Sequence, residues 1–381
     1  MATAATNRAQ VRYSTETTWG ETPGGQPVTE LRITSESLQH QKDTRVSRIV
    51  VSDRQRTDVL EVGQSATGAI DFELSYGDWE AFFESVLFDT ISSATVSFAS
   101  TVFGVSTITR SGAGDGYTVF LPDQWIKIDT GGGVNDNAVV KVVSATSTVL
   151  TFTGSTLIAS TISANITGRR LRNGVTETSF YIETDFSDIS AVKYFTGMEA
   201  SQLSMNSAAD EIVTGTFSMI GKAGAIASAT VASAVVSAGA NTPMTGTSNV
   251  LDLREGNAPL STAVQSVGMT VQNNLRALRK IGSKPAFGIG TGGVDVTGTL
   301  NAYFEDVTLY QKFINHGESS LSFKFKDIGG NFIVVTIPSV YYTAGNPQIT
   351  GQDADVFVPL EWTARKDPAH GYTVQLDFLP S

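Results

Sequence analysis

The segment GAIDFELSYGDWEAFFESVLF, Gly68–Phe88, changes from the two-residue period of a β-strand to the 3.6-residue period of an α-helix. Over Gly68–Tyr76 every second side chain is apolar, which predicts a strand with one buried face and an opposite face that carries Asp71 and Glu73. Over Asp78–Phe88 the apolar side chains recur at intervals of three and four residues, as on one face of a helix. We therefore expect a sheet covered by a helix whose aromatic stripe belongs to the core.

Strand-like alternation dominates the rest of the chain, between turns marked by Gly, Asn, Asp and Pro. The further alternating or β-rich segments are 201–206, 213–220, 269–274, 295–304, 320–326, 331–337 and 372–378. Ser187–Phe195 is interpreted as a second, short helical turn. The predicted fold class is mainly β with one flanking α-helix.

A short motif, Thr-Gly-x-apolar, opens three of the alternating segments, at Thr67, Thr214 and Thr297. Each copy follows another extended segment, and these segments are 31–41, 201–206 and 269–274. The pattern predicts a repeated hairpin-like unit within one or two sheets. Its intervals of 147 and 83 residues are too irregular for a solenoid.

Two stretches differ in composition from the rest. Residues 91–170 are rich in Ser, Thr, Gly and Val and contain strand-like segments at 124–129, 138–143 and 149–152, so we expect a small inserted β domain. Residues 223–240 contain eight Ala and little charge. Alanine favours a helix, but the interleaved Ser, Thr, Val and Gly favour a long loop or arm, which could dock on a neighbouring copy.

The composition excludes several classes of protein. The chain has 381 residues, of which 26 are Lys or Arg and 37 are Asp or Glu, for a net charge of −11. Because there is no Cys, disulfides, thiol nucleophiles, Fe–S clusters and cysteine-based zinc sites are excluded. Met1–Pro23 lacks the apolar core of a secretory signal, and no run of about 18 apolar residues predicts a membrane span. The acidic balance argues against tight nucleic-acid binding.

No constellation of residues predicts catalysis, a metal or a cofactor. The three histidines lie far apart, and they are His40, His316 and His370. Gly288–Gly293 lacks the Lys-Ser/Thr that completes a phosphate loop, so we interpret it as a turn. The acidic segments 135–137 and 353–355 lack the ligand spacing of a calcium loop and are interpreted as solvated turns.

A basic cluster lies just before the segment quoted above. Its cations are Lys42, Arg45, Arg48, Arg54 and Arg56. Three carboxylates are interleaved with them, Asp43, Asp53 and Asp58. The cluster is either a salt-bridged loop or a contact between subunits, and the sequence leaves both interpretations open.

The order of several weak motifs resembles the major tail tube proteins of long-tailed, siphovirus-like bacteriophages. In the first part of the chain these motifs are Arg12-Tyr13, Glu16, Trp19–Pro23 (WGETP), Thr44–Asp53 (TRVSRIVVSD) and Gly68–Phe88. In the second part they are Tyr194–Gly197, Leu203–Asn206, Val213–Gly221 (VTGTFSMIG), Val267–Asn274, Val296–Asp306 (VTGTLNAYFED), Ser320–Phe323 and Ile337-Pro338. The resemblance covers roughly residues 10–90 and 171–345 and omits residues 91–170.

The resemblance implies a fold of two packed sheets, sandwich-like or open-barrel-like, with a flanking helix. Residues 1–90 and 171–381 would form the tail-tube core, and 91–170 an inserted domain that faces outward. Six copies would form a ring, and rings would stack into a tube that delivers the genome to the host. The implied partners are further copies of the chain, the tape-measure protein, the tail terminator and the tail-tip proteins. Viral DNA would pass without specific binding, and the protein would be assembled in the host cytoplasm into the virion tail.

A lumen that passes DNA should be polar and neutral or negative, so that phosphates slide without ion pairing. The polar face of the Thr-Gly strands and their neighbours meets this requirement. Its candidate lumen-lining residues are Asp71, Glu73, Gln202, Ser204, Asn206, Thr216, Ser218, Gln272, Asn274, Asn301 and Glu305. The alternative is that this face meets the outer solvent.

Two rival functions remain open at the level of sequence. A carbohydrate-binding or host-recognition β protein would expose aromatic side chains on loops, and the chain has only four Trp. A hydrolase on a β scaffold would need a carboxylate or histidine constellation, which the sequence does not suggest.

Overall fold

The computed structural model of the protein describes residues 3–110, 116–349, 351–353 and 355–381. This part of the chain forms two α-helices, α1 (Glu80–Leu87) and α2 (Thr308–Ile314), and 26 β-strands. The strands are β1 Ala9–Thr15, β2 Val28–Glu30, β3 Ser35–Glu36, β4 Gln39–Val46, β5 Val59–Glu73, β6 Ser92–Phe103, β7 Thr107–Arg110, β8 Trp125–Asp129, β9 Ala138–Ala145, β10 Val149–Thr153, β11 Ser160–Arg172, β12 Phe180–Phe186, β13 Ala191–Ala208, β14 Thr214–Gly221, β15 Ala223–Ala227, β16 Val235–Val236, β17 Val250–Glu255, β18 Ala258–Pro259, β19 Val264–Gln272, β20 Arg276–Leu278, β21 Gly288–Gly290, β22 Asp295–Tyr303, β23 Glu318–Lys326, β24 Phe332–Ala344, β25 Phe357–Ala364 and β26 Gln375–Leu379. The predicted mainly β fold class with a flanking helix is confirmed.

Six antiparallel strands form a sheet in the order β5–β14–β13–β19–β22–β25, here called the central sheet. Strand β13 belongs to two layers, because residues 202–208 pair with β14 and β19 while residues 191–198 pair with β12 and β15. Strands β12, β1 and β2 continue the second layer. The sheet is therefore barrel-like around one hydrophobic core.

Aromatic side chains join the central sheet to α1 and to the second layer. The rings of Phe72 and Phe217 stack on the inner face of the central sheet, with centroids 4.9 Å apart. Trp79, at the start of α1, lies 4.5 Å from Phe72. Phe82 of the same helix stacks on Phe180 of β12 at 4.6 Å. Since such side chains are fully buried and each contributes a few kcal/mol on burial, about 1.5–3, α1 is a structural element of the core, as its periodicity predicts.

The three Thr-Gly motifs lie in strands that pair antiparallel with the extended segment before them, in the pairs β4–β5, β13–β14 and β19–β22. Thr67 lies within β5 and not at its start. Two of the three glycines allow close approach of an aromatic ring, because a Cβ on Gly215 would lie 2.4 Å from Phe72, and one on Gly298 would lie 2.2 Å from Trp362. A Cβ on the third, Gly68, would lie 2.5 Å from the Ser37 carbonyl oxygen. The repeated motif thus has a packing explanation.

The helical turn predicted for Ser187–Phe195 is wrong, because Ala191 begins strand β13. The three-residue spacing of Val192 and Phe195 imitates a helix, but the backbone here pairs with β12 on one side and β15 on the other. Helix α2 has no counterpart among the sequence predictions.

The Ala-rich segment 223–240 is ordered by pairing and by a side-chain contact. Ala223–Ala227 forms β15 beside β13, and Val235–Val236 forms β16, which pairs parallel with β2. Thr230 Oγ1 donates a hydrogen bond to Glu183 Oε2 at 2.8 Å. The prediction of one long loop is therefore wrong for these strands, and docking of this segment on a neighbouring copy stays a prediction.

Strands β6 to β11 close into a second, smaller barrel in the order β6–β7–β10–β9–β8–β11, because β11 pairs with both β8 and β6. We call Ser92–Arg172 the inserted barrel. Its apolar side chains form a core separate from that of the central sheet, consisting of Val96, Phe103, Ile108, Tyr117, Phe120, Ile126, Ile128, Val140, Val142, Leu150, Phe152, Leu157, Ala164 and Ile166.

A buried carboxylate near the inserted barrel predicts a pH-dependent stability. Burial raises the pKa of Asp377 to about 8, although Gln375 Nε2 donates to its Oδ2 at 2.7 Å. The same carboxyl has a pKa of about 4 in the unfolded chain, so between these two pKa values the folded state binds one more proton than the unfolded state. The contribution of Asp377 to the free energy of unfolding is therefore fully present below about pH 4 and is lost as the pH rises through about 8. We expect the Tm to fall between pH 5 and pH 9, and Asp377→Asn to make that fall smaller in differential scanning fluorimetry. Equal pH slopes for the two proteins would contradict this assignment.

Candidate functional site

The face of the central sheet opposite the core is polar and open to solvent. Thr216 on β14 lies opposite Asp71 on β5 and opposite Ser204 on β13, and Thr216 Oγ1 donates to Asp71 Oδ1 at 2.7 Å. The same row continues through Thr270 on β19 and Thr297 on β22. Because alternate residues of a strand share a face, the side chains two residues before and after this row lie on the same surface. We call this surface of the central sheet the polar strip.

Nine of the eleven predicted lumen-lining side chains share this face, and each is half-buried or exposed: Asp71, Glu73, Gln202, Ser204, Asn206, Thr216, Ser218, Gln272 and Asn301. Asn274 and Glu305 lie in turns beyond the ends of β19 and β22. Asn274 Nδ2 donates to Asp295 Oδ2 at 2.9 Å, and Glu305 Oε2 accepts a hydrogen bond from the Ala263 N–H at 3.2 Å. The structure brings nine of these side chains together, and their position in a lumen stays a prediction.

The sequence reasoning missed further members of the polar strip. Thr297 on β22 lies opposite Thr270 on β19, and Thr299 on β22 lies opposite Glu361 on β25. Because Thr297 and Thr299 are two residues apart on one strand, all four side chains share this face. Alternation with Gln272 would have identified Thr270 from the sequence.

The polar strip carries negative charge and no positive charge. Strands β5, β14, β19, β22 and β25 and residues 201–208 of β13 contain no Lys or Arg. The carboxylates on the strip are Asp71, Glu73, Asp295 and Glu361. Because proteins bind a phosphate backbone through clustered Lys and Arg, this face lacks the cations of a nucleic-acid binding site.

A second feature is an exposed hairpin in which β4 and β5 continue beyond the central sheet; we call residues 41–62 the arm. Ion pairs at its base join Asp43 to Arg279 at 2.7 Å and Glu61 to Lys284 at 2.8 Å. Val51 of the arm is half-buried, and its other six large apolar side chains are between 49% and 96% exposed, namely Val46, Ile49, Val50, Val59, Leu60 and Val62. Within the part of the chain that the structure describes, no ion pair is formed by Arg45, Arg48, Arg54 or Arg56. The arm thus presents apolar and cationic groups that its own subunit does not cover.

The remaining candidates from the sequence have structural partners. His40 Nδ1 accepts a backbone N–H at 3.1 Å, the ring of His316 stacks on Tyr341 at 4.8 Å, and His370 Nδ1 lies 2.7 Å from Asp367 Oδ2. No group of three or more His, Asp or Glu among the described residues could hold a metal ion.

The interpretation of Gly288–Gly293 as a turn is wrong for its first half, because Gly288–Gly290 forms the short strand β21, paired with β20. Ala354 of the second acidic segment lies outside the described residues. Three tryptophans are at most 1% exposed, namely Trp79, Trp125 and Trp362. These three side chains therefore cannot form the exposed aromatic platform of a carbohydrate site. Across the described ranges, no helix combines the length and apolar character needed to cross a membrane.

Comparison with known proteins identifies the family. A family model described as "Phage tail tube protein" matches residues 6–364, nearly the whole chain. The chain therefore belongs to the phage tail tube protein family, which confirms the resemblance seen in the sequence. A search of curated proteins found no match. Membership of this family implies a structural, non-enzymatic component of the virion tail.

Proposed function

We propose that six copies of this chain form a ring, that the rings stack into the tail tube, and that the tube delivers the genome into the host cell. The tape-measure protein, tail terminator and tail-tip proteins are its proposed partners, and assembly takes place in the host cytoplasm. The observation that carries the proposal, beyond the family, is a sheet face with four carboxylates and no cation across six strands.

We assign the polar strip to the wall of the lumen. Hydroxyl and amide groups keep such a wall wetted, and its carboxylates repel phosphates rather than pairing with them. Viral DNA would pass along it without specific binding. The eleven residues predicted from the sequence, including Asn274 and Glu305 at the strand ends, are part of this proposal.

The arm is the proposed contact between subunits. A hairpin with six exposed large apolar side chains leaves apolar area in water that a second copy could cover. Head-to-tail contacts of this kind generate stacks, as a tube requires.

Residues 91–170, which contain nearly all of the inserted barrel, are proposed to be a domain of their own that faces outward, while 1–90 and 171–381 form the tube core. Its separate hydrophobic core and closed strand order support this division.

Electron microscopy of the purified protein tests the proposed function. We expect rings or tubes with an axial channel in negative stain. A reconstruction should place Asp71 and Glu73 at the channel wall and the inserted barrel on the outside. A protein that stays monomeric at high concentration would contradict the tube proposal, and a reconstruction with Asp71 and Glu73 on the outer wall would contradict the lumen assignment.

A further inference from the structure

A half-open cavity of about 370 Å³ lies between the end of β1, the start of β12, strand β13 and the segment around β21. Three carboxylates line it, Glu16, Glu177 and Glu199, together with the aromatic rings of Trp19 and Phe287. We call it the acidic cavity. Its volume is roughly ten times the ~30 Å³ that one water occupies in the liquid, so it can admit a side chain.

Glu199 is buried at the wall of this cavity with one carboxylate oxygen unpaired. The residue is only 2% exposed, and its Oε2 atom has no hydrogen-bond partner. Burial, followed by the nearby charges of Glu177 and Glu16, raises the pKa of Glu199 to about 8, while Trp19 favours the charged form. A buried carboxylate without a partner is costly, because the charged form has lost its water.

Glu16, in contrast, is satisfied within its own subunit. Its carboxylate accepts hydrogen bonds from the Gly20 N–H, the Gly197 N–H and the Ser179 hydroxyl, each at 2.7 Å. Unlike Glu16, Glu199 therefore leaves an acceptor unused at the wall of the cavity.

Two cations flank the cavity, but neither occupies it. Lys222 Nζ lies 5.6 Å from the ring of Trp19 and donates to the Gly20 carbonyl, and Lys280 Nζ lies 5.6 Å from the ring of Phe287. Among the described residues neither forms an ion pair with Glu199 or Glu177, and the charge of Lys222 acts on Glu16 instead, where it favours a lower pKa. The cavity therefore suits an additional donor that is flat, positively charged and able to stack on an aromatic ring, which describes a guanidinium group.

We propose that the acidic cavity of one copy receives an arginine from the arm of a second copy. This contact rests on the proposed self-assembly. The arm supplies four arginines within twelve residues, Arg45 to Arg56, none of which has an ion-pair partner in its own described subunit. The charges of the arm and the cavity are complementary, and a bidentate guanidinium–carboxylate contact would satisfy the free oxygen of Glu199.

Beyond its base the arm is exposed and projects from its own subunit. It contacts the body at its base, through the ion pairs of Asp43 with Arg279 and Glu61 with Lys284. Beyond Asp43 the strand pairing continues to Val46, opposite Val59. At about 3.4 Å per residue this ladder extends on the order of 10 Å beyond the ion pairs before the tip begins. The arginines of the tip are therefore free to contact a second copy.

Engineered disulfides test the contact without removing any of the charges. The chain has no Cys, so any disulfide must join introduced residues. We expect Gln55→Cys combined with Thr178→Cys, or Ser47→Cys combined with Thr178→Cys, to give a ladder of cross-linked chains on a non-reducing gel of assembled protein. Gln55→Cys combined with Asn206→Cys on the polar strip is the matched control and should give none. Tubes without a ladder from either arm position would overturn this contact, whereas an unsubstituted chain that forms no rings or tubes would overturn the proposed function instead.

A Gln at position 199 cannot ionise when an arginine docks, so this substitution separates a docking role of Glu199 from a structural one. We expect Glu199→Gln to leave the Tm of the isolated subunit unchanged or higher, and to raise the concentration needed for assembly about tenfold. Glu183→Gln is the matched control, because Glu183 is also buried but pairs with Arg12 at 3.5 Å, so its loss should lower the Tm. Assembly of Glu199→Gln at the wild-type concentration would overturn the proposal.

Discussion

Deleting residues 47–58 and joining Val46 to Val59 through an Asn-Gly turn is expected to abolish tube assembly while the subunit remains folded. The deleted part of the arm makes no contribution to either hydrophobic core, and its Val50 is 96% exposed. The Asn-Gly pair suits the tight turn of an antiparallel hairpin, so β4 and β5 can keep their pairing. We therefore expect a Tm close to that of the wild type and a single monomeric species in sedimentation velocity, at concentrations where the wild type forms tubes.

A substitution pair provides the control for this deletion. Ile49→Ser with Val50→Ser should weaken assembly strongly, because it removes exposed apolar area from the arm. Val105→Ser with Val134→Ser changes two side chains of the inserted barrel that are each 63% exposed, and assembly should not change. Tubes of normal length from the deleted chain in negative stain would show that the arm is not a contact between subunits.

The elements that the sequence predicts are those with an uninterrupted period. Gly68–Tyr76 alternates cleanly because one face meets the core and the other the polar strip, and α1 shows its aromatic stripe because only one side is packed. Most of the polar strip could be predicted for the same reason. The strand order β5–β14–β13–β19–β22–β25 could not, because it depends on pairing between segments far apart in the chain.

The acidic cavity could not be predicted because the alternation fails around Glu199. Met198, Glu199 and Ala200 are all buried, and the pairing of β13 with β14 shifts register between Ala200 and Gln202. The one signal of the acidic cavity in the sequence is Glu199 itself, a carboxylate between the apolar residues Met198 and Ala200. The basic cluster of the arm is visible in the sequence, but the hairpin that carries it is not, because β4 reads QHQKDTRV and this polar sequence has no buried face to set a period.

Trp125→Ala is expected to have the largest effect on stability, because Trp125 holds the inserted barrel to the rest of the chain. It lies in β8 of the barrel, is fully buried, and packs in a cluster with Val334 and Leu379. Its Nε1 donates to Thr336 Oγ1 at 3.2 Å, and Lys324 Nζ lies 4.2 Å from its ring. Truncation would leave a cavity in this cluster and cost about 3–5 kcal/mol.

Because the two barrels have separate cores, loss of this junction should also change how the protein unfolds. We expect one urea transition for the wild type and two for Trp125→Ala, monitored by circular dichroism and tyrosine fluorescence. Trp125→Phe keeps most of the buried area but removes the bond to Thr336, so it should cost about 1–2 kcal/mol and keep a single transition. A single, unshifted transition for Trp125→Ala would mean that the inserted barrel is held by its other contacts, such as the hydrogen bond from Lys127 Nζ to the Pro380 carbonyl at 2.7 Å.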